Sequence, residues 1–323
     1  KIRFRSGHPE KIGGWQKYSS NTFLGSARSL YNYAAASGTH YVGVGTNLKF
    51  YIADGVTYND ITPIRATTSA GDVTFSATNG DATLTVTDAS NGAVQNDFVT
   101  FSGAASLGGL ITADVLNQEY QIATIVNANS YTVEAKDTDG DTVTANSSDS
   151  GNGGSSVVGA YQISVGLDVY VSSAGWGVGT WGAGGFGSAS SLDDTNQLRL
   201  YSQDNFGDDL IFCPRAGGIY YWDQSSGVST RAVAFSALGS ASNTPTKCLQ
   251  IMVSDIDRHI IAFGSNAIGA STLDPLLVRW SDQESAVDWT PTSTNSAGGV
   301  KISSGSEIVG ALRTRQEILI WTD

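Results

Sequence analysis

The residues with the most obvious chemical potential are carboxylates in the last quarter of the chain. Glycoside hydrolysis requires two acids that face each other across a cleft. Five carboxylates could supply such a pair: Asp255, Asp257, Asp282, Glu284 and Asp288. Acidic residues in polar surface turns give the same pattern without any reaction. We therefore expect a non-enzymatic protein with no catalytic residues, and keep a glycan-cleaving protein as the alternative.

The three histidines, His8, His40 and His259, are isolated from one another and lack metal-ligand spacing. His259 could form half of a catalytic dyad with Asp257. The segment 254–259 is more typical of a polar turn that leads into the apolar strand 260–263. We expect neither a metal site nor a dyad here.

Two short motifs could bind a cofactor or an ion. Asp137-Thr-Asp-Gly-Asp141 places three carboxylates within five residues, as a calcium loop might, but an Asp-Gly hairpin tip explains it more simply. Gly177, Gly179 and Gly182 satisfy G-x-G-x-x-G without the surrounding strand and helix that dinucleotide binding needs. We expect no cofactor and no metal.

Charge and composition exclude several classes of protein. The chain has 323 residues, only 15% of them charged, 38 glycines and a net charge of -12, which argues against a nucleic-acid-binding surface. Residues 1–65 are nevertheless basic, and residues 66–160 are strongly acidic. No apolar run approaches the roughly 18 residues of a membrane span. Because the chain begins with Lys1 and ends within a strand-like segment, we expect it to be a fragment.

Short apolar or alternating stretches closed by Gly, Asn, Asp or Ser dominate the sequence and predict an all-β fold. Four segments repeat a strand, a turn and a strand that ends in an aromatic residue: 41–52, 209–222, 259–280 and 308–321. Repeats of roughly 40–50 residues built from short strands are typical of propeller blades. We therefore predict a β-propeller-like platform of short antiparallel sheets.

A change in composition interrupts this repeat. Residues 66–158 are rich in Thr, Ala, Asn and Asp, and they predict an inserted small β-sandwich or barrel. The predicted domains are therefore 1–65, the first part of the platform with an N-terminal arm, 66–158, the insertion, and 159–323, the continuation of the platform.

Two further features bear on packing. Trp176, Trp181 and Phe186 recur every five residues in a glycine-rich stretch, which we interpret as an extended arm that packs on another blade or another subunit. Cys213 and Cys248 each lie in an apolar strand-like run and are interpreted as small core residues rather than a disulfide.

Several short segments of the sequence resemble tail proteins of tailed bacteriophages, in particular the β-propeller nozzle or hub proteins of short-tailed phages. These segments are 4–15, 44–49, 59–63, 176–181, 200–208, 274–282 and 288–291. The insertion, with 98–103 and 117–122, also resembles small β modules of phage structural proteins. Only about four blade-like units are visible, fewer than a closed propeller normally has.

The resemblance implies a structural virion protein that forms a homo-oligomer, a sixfold ring, below the portal and adaptor proteins. Its partners would be adaptor or portal-proximal proteins and other tail proteins, with DNA passing during ejection without specific binding. Excess carboxylates suit such a conduit because they repel phosphate.

The candidate assembly contacts follow from this interpretation and from the basic N terminus. They are Arg3, Arg5, Lys11, Trp15, Trp176, Trp181 and Phe186. Two other classes of protein remain open: a glycan-binding or glycan-cleaving propeller of the receptor-binding or tailspike kind, with Trp176, Trp181 and 220–222 supplying rings, and a secreted bacterial repeat adhesin.

Overall fold

The computed structural model describes residues 2–14, 16–17, 19–149, 152–166, 200–254, 256–315 and 317–323. These residues form 24 strands, a four-residue helix and short 3-10 turns, so the predicted all-β fold class is confirmed. Within the described part of the chain, no helix has the length and apolar character of a membrane span.

The chain begins with a two-stranded hairpin, followed by a four-stranded antiparallel meander in which each strand pairs with the next. The strands of the hairpin are β1 (Ile2–Arg5) and β2 (His8–Lys11). Those of the first meander, sheet 1, are β3 (Ala27–Ala34), β4 (His40–Thr46), β5 (Phe50–Asp54) and β6 (Thr57–Asp60).

The next eight strands form two four-stranded sheets around one core. In chain order they are β7 (Ile64–Thr67), β8 (Thr74–Ala77), β9 (Thr83–Thr87), β10 (Phe98–Ser102), β11 (Glu119–Gln121), β12 (Thr124–Asn127), β13 (Ser130–Glu134) and β14 (Val158–Gln162), with helix α1 (Ala113–Leu116) between β10 and β11. One sheet has the order β11-β10-β14-β7 and the other β12-β13-β9-β8. Because β7 pairs with β14, the chain enters and leaves this unit on adjacent strands. The domain boundaries at 65 and 158 stay a prediction.

After this unit the meander pattern returns. Sheet 2 contains β15 (Tyr201–Phe206), β16 (Asp209–Pro214), β17 (Tyr220–Trp222) and β18 (Val233–Ala234), with 3-10 turns at Gln224–Ser226 and Phe235–Ala237. Sheet 3 contains β19 (Cys248–Val253), β20 (Ile260–Ser265), β21 (Leu277–Trp280) and β22 (Gly298–Lys301). The last sheet is the hairpin of β23 (Ile308–Arg313) and β24 (Ile318–Thr322).

Each sheet of the platform shares an apolar core with the next one. Strand β16 shows how, because Leu210 and Phe212 pack towards sheet 1 while Ile211 and Cys213 pack towards sheet 3. Alternate side chains of a strand point to opposite faces, so this unbroken apolar run fills two cores at once. The rings of Phe50 and Phe212 stack across the first interface with centroids 3.7 Å apart.

The four repeated segments are all antiparallel hairpins, but they are not equivalent. The first three supply the second and third strands of a meander, whereas 308–321 supplies the β23–β24 hairpin, whose first strand lines the same cleft as β3, β15 and β19. Trp321 therefore ends a second strand, while Trp222 and Trp280 end third strands. The side-by-side sheets are compatible with a propeller.

Candidate functional site

An open cleft of about 520 Å³ lies where the first strands of the four platform sheets meet. Its walls come from β3, β15, β19 and β23 and from the residues next to them. Each meander starts at the cleft and runs outward, so the four sheets present the same kind of edge strand to one space. An edge strand carries backbone groups that its own sheet leaves unpaired.

Side chains of β15 bind the edge of β19. The Ser202 hydroxyl accepts a hydrogen bond from the Ile251 amide at 2.9 Å, and the Asp204 carboxylate accepts one from the Val253 amide at 2.8 Å. Both pairs are spaced two residues apart on their strands, so they lie on matching faces. Sheets 2 and 3 are thereby joined by polar bonds as well as by their shared core.

The other two interfaces at the cleft use glutamine. Gln250 donates to the Ala311 carbonyl and accepts from the Ala311 amide, each at 2.8 Å, and so imitates a strand neighbour for β23. Gln203 donates to the Ser29 hydroxyl at 2.6 Å. The first strands are therefore fixed to one another around the cleft.

A charged cluster completes the wall. The Tyr31 hydroxyl donates to Asp204 at 2.8 Å, and an Arg313 nitrogen lies 3.4 Å from the same carboxylate while donating to the Val253 carbonyl at 2.6 Å. Burial, reinforced by the nearby Asp204 charge, raises the pKa of Tyr31 well above the ordinary value of a tyrosine. Tyr31 is thus a permanent donor, and the cluster, together with the Val253 backbone, joins all four sheets.

A second ionic network joins the platform to the two-sheet unit. Lys49, whose side chain is 4% exposed, lies 2.8 Å from Asp60 and also pairs with Glu119 of β11. Arg231 contacts the same two carboxylates, at 3.2 and 3.6 Å. Gln162 donates to Glu119 at 2.5 Å. Five residues from distant parts of the chain therefore form one network of ion pairs and hydrogen bonds, in which the side-chain oxygen of Gln162 stays buried without a hydrogen-bond partner.

Local sequence explains how this lysine is placed. Thr46 closes the β4–β5 turn by accepting from the amides of Leu48 and Lys49, which directs Lys49 inward beside Phe50. Its ammonium also lies 4.6 Å from the centre of the Phe98 ring. Burial opposes the ionisation of Asp60, but Lys49 and the other donors hold the pKa of that carboxyl below its ordinary value.

The predicted assembly residues fall in two groups. Arg3, Arg5 and Lys11 lie on the β1–β2 hairpin and are exposed, with Arg3 paired to Glu10 across the hairpin at 3.0 Å. Trp15, Trp176, Trp181 and Phe186 lie outside the described residues. The structure does not bring the first group to the cleft.

Two of the carboxylates considered for glycosidase chemistry, Asp282 and Asp288, hold turns. Asp282 accepts hydrogen bonds from the amide and hydroxyl of Ser296, which lower the pKa of this carboxyl. Asp288 accepts from Thr290 and Asn295, and Asp255 lies outside the described residues. The ring Nδ1 of His259 contacts the Ser281 carbonyl at 2.9 Å.

The prediction that Trp222 could stack on a sugar is wrong. Trp222 is fully buried and donates to the Thr230 carbonyl at 3.2 Å, because its strand is covered on both faces. It cannot present a ring to a ligand.

The two cysteines are buried, free and in contact, with sulfurs 3.2 Å apart. In the acidic loop, Asp137 accepts from the amides of Asp139 and Asp141, as a hairpin tip does. Across the described ranges, no group of three or more His, Cys, Asp or Glu side chains is arranged to hold a metal ion.

Sequence reasoning missed both the Asp204 cluster and the Lys49 network. A lysine directly before the apolar run that starts at Phe50 was a usable signal for the network, since a buried ammonium requires an acid. No comparable signal identifies Asp204, whose partners Tyr31, Val253 and Arg313 come from three other sheets.

Comparisons with known proteins give little further information. No protein-family model and no curated protein matches the sequence. Among solved structures, a phage phi92 endosialidase is 11% identical over 92% of this chain and 43% of its own, with a TM-score of 0.25. This chain therefore spans less than half of that protein, and so distant a likeness carries no functional argument.

Proposed function

We infer that this chain is a non-enzymatic structural protein of a bacteriophage tail, a nozzle or hub that surrounds part of the path of the ejected DNA. One observation carries the proposal: four successive sheets turn their first strands to a common cleft and are fixed there by the hydrogen bonds of Ser202, Asp204 and Gln250. A frame held this way resists deformation without presenting a reaction centre. The resemblance of short sequence segments to phage nozzle and hub proteins supports the same function.

Charge supports a conduit. The net charge of -12 makes a phosphate backbone an unfavourable neighbour, so DNA would pass without being held. In this proposal copies of the chain form a ring, with sixfold symmetry, that contacts adaptor or portal-proximal proteins. The unit of β7–β14 is attached to the platform by the Lys49 network and leaves the cleft open.

Electron microscopy and light scattering of the full chain test this proposal. We expect closed rings, and rings located at the tail in a reconstruction of the intact particle. Changing Arg3→Glu and Arg5→Glu should impair assembly because both side chains are exposed and, although Arg3 also pairs with Glu10, both can reach an acidic neighbour. A monomer that turns over a glycan would contradict the proposal.

A glycan-binding protein is the second candidate, and the dimensions of the cleft favour it. A volume of about 520 Å³ lies within the roughly 300–1,000 Å³ of small-ligand sites. Tyr31 and Arg313 would be the polar contacts at its wall. Saturable binding of an oligosaccharide that is lost in Tyr31→Phe would favour this candidate, and unchanged binding in that variant would exclude the cleft as its site.

A further inference from the structure

The two cysteines of the chain, Cys213 and Cys248, come from different sheets and meet in the core. Cys213 lies in β16 of sheet 2, and Cys248 is the first residue of β19 in sheet 3. Their sulfurs are 3.2 Å apart, and both side chains are fully buried in the core that the two sheets share. Two thiols placed in this way can react with each other and so link the sheets covalently.

Hydrogen bonds on both sides of the cysteine pair fix the two backbones relative to each other. The amide of Cys248 donates to the Gly217 carbonyl at 3.1 Å, in the turn that follows β16. Ser202 is paired with Cys213 in the β15–β16 ladder, and its hydroxyl accepts from the Ile251 amide of β19 at 2.9 Å. A disulfide bond is about 2.05 Å long, so the two sulfurs have to approach each other by only about 1 Å. The fold therefore holds the pair ready for a disulfide without moving either strand far.

Burial determines how this pair reacts. Burial, together with the hydrogen bond to the Cys213 thiol, raises the pKa of the Cys248 thiol. Because the thiolate is the reactive form of cysteine, the pair reacts slowly at neutral pH. The core also excludes bulky oxidants and leaves access to small ones, of which hydrogen peroxide is an example. We therefore expect a slow oxidation that depends on a small oxidant.

We propose that Cys213 and Cys248 form a reversible disulfide that locks sheet 2 to sheet 3 when the protein meets a peroxide. One thiolate attacks an oxygen of hydrogen peroxide, which breaks the O–O bond, releases hydroxide and leaves a sulfenic acid. The second sulfur attacks the sulfenic sulfur, forms the S–S bond and expels a second hydroxide. The two sulfurs together lose two electrons, and the protons of the two thiols convert both hydroxides to water.

The disulfide would strengthen the frame around the cleft. It closes the loop from 213 to 248, which contains β17 and β18, and so lowers the conformational entropy of the unfolded chain. It joins the same two sheets that Ser202 and Asp204 join by hydrogen bonds. In the proposed tail protein, the thiols persist in the reducing cytosol during assembly, and the disulfide forms in the particle outside the cell. This timing alone rests on the proposed function.

Mass spectrometry of the full-length chain tests whether the disulfide forms. The reduced protein is treated with hydrogen peroxide under native conditions, then denatured and alkylated with N-ethylmaleimide. We expect two alkylated cysteines before oxidation, none after it, and a linked pair of peptides that contain Cys213 and Cys248. Dithiothreitol should restore both alkylations. Oxidation of Met252 adds an oxygen, so its mass change is distinct from the loss of two hydrogens at the cysteines.

Thermal denaturation tests whether the disulfide locks the sheets. Oxidation should raise the Tm of the wild type by about 5 °C, and dithiothreitol should reverse the rise. Cys213→Ala and Cys248→Ala are the matched controls, because each keeps one thiol in place, and peroxide should not raise the Tm of either variant. Comparing oxidised with reduced wild type requires no substitution, so a variant that fails to fold cannot hide the result.

Three results would overturn the proposal: two free thiols after prolonged peroxide treatment, a sulfinic acid in place of the linked peptides, or a disulfide that leaves the Tm unchanged. The proposed function survives all three results, since a tail protein can hold its sheets together without a disulfide. Conversely, a chain that is monomeric at all concentrations contradicts the proposed ring and leaves the disulfide untouched.

Discussion

At the scale of single residues, this protein places its strongest electrostatics at a junction rather than in a reaction centre. Lys49 is nearly inaccessible, and its charge is balanced by Asp60 and Glu119, which retain partial contact with water. A buried charge is tolerated only when it is paired and hydrogen-bonded. The network therefore stabilises the attachment of the β7–β14 unit to sheet 1 only while all its members are present.

Lys49→Met tests this balance. We expect the free energy of unfolding to fall by about 2 kcal/mol, less than the roughly 3–5 kcal/mol of a fully buried broken pair, since Arg231 and water still compensate the acids. Urea denaturation measures this change in the free energy of unfolding. The matched control is Lys301→Met, whose exposed pair with Asp274 should contribute under about 1 kcal/mol. If the two substitutions lowered the free energy of unfolding equally, Lys49 would not be the buried centre of a stabilising network.

Acid should weaken the same network. Burial raises the cost of ionising Asp60, yet Lys49, Thr62 and Arg231 together lower the folded-state pKa below the ordinary 3.8. A lowered pKa gives stability that is complete above the unfolded value and is lost as pH falls through the folded value. Thermal denaturation should show a constant stability gap between wild type and Asp60→Asn above about pH 5. The gap should narrow below about pH 4. A gap that stays constant down to pH 2 would refute the pKa shift.

At the scale of elements, close approach between sheets determines where glycine is needed. Strand β4 carries Gly43 and Gly45, and a methyl group at either would meet Gln203 or the ring of Tyr201 in sheet 2. In the β16–β17 turn, the residue with positive φ is Ala216, at 58°, whereas Gly217 and Gly218 have ordinary φ and make room for Pro214 and Tyr220. The left-handed position of that turn is therefore occupied by an alanine, and the two glycines that follow it serve close packing instead.

Gly45→Ala should be destabilising by about 1–3 kcal/mol, because the ring of Tyr201 is held in the core and cannot move aside. The control is Gly239→Ala, where open space and ordinary backbone predict a change within about 0.5 kcal/mol. Differential scanning calorimetry compares the two variants. If Gly45→Ala is as stable as wild type, sheets 1 and 2 are less closely packed than described.

At the scale of the whole molecule, stability is distributed along a row of sheets. Each platform core belongs to two neighbours, so the inner sheets are covered on both faces, whereas the β23–β24 hairpin keeps an exposed apolar face. Large exposed apolar patches usually mark interaction surfaces. By that criterion, the face that carries Leu312, Leu319 and Trp321 is a candidate contact surface among the described residues.

Weak interaction with DNA is the corresponding prediction for the intact molecule. The full chain should cause no mobility shift of duplex DNA at about 0.15 M salt, because its excess carboxylates oppose phosphate. The variant with Arg3→Glu and Arg5→Glu serves as the control. Wild-type binding that falls with added salt and disappears in the variant would identify the hairpin as a DNA contact and contradict its assembly role.

The sequence alone determined the strands, their hairpins and the all-β class, because alternation and turn residues act over a few positions. Even the burial of β16 on both faces is readable in its apolar run. Only the tertiary structure decided that 308–321 starts a sheet at the cleft, that Gln250 binds Ala311, and that Lys49 meets Glu119. Those contacts join residues tens of positions apart. They depend on how several twisted sheets are arranged relative to one another, which no local sequence pattern encodes.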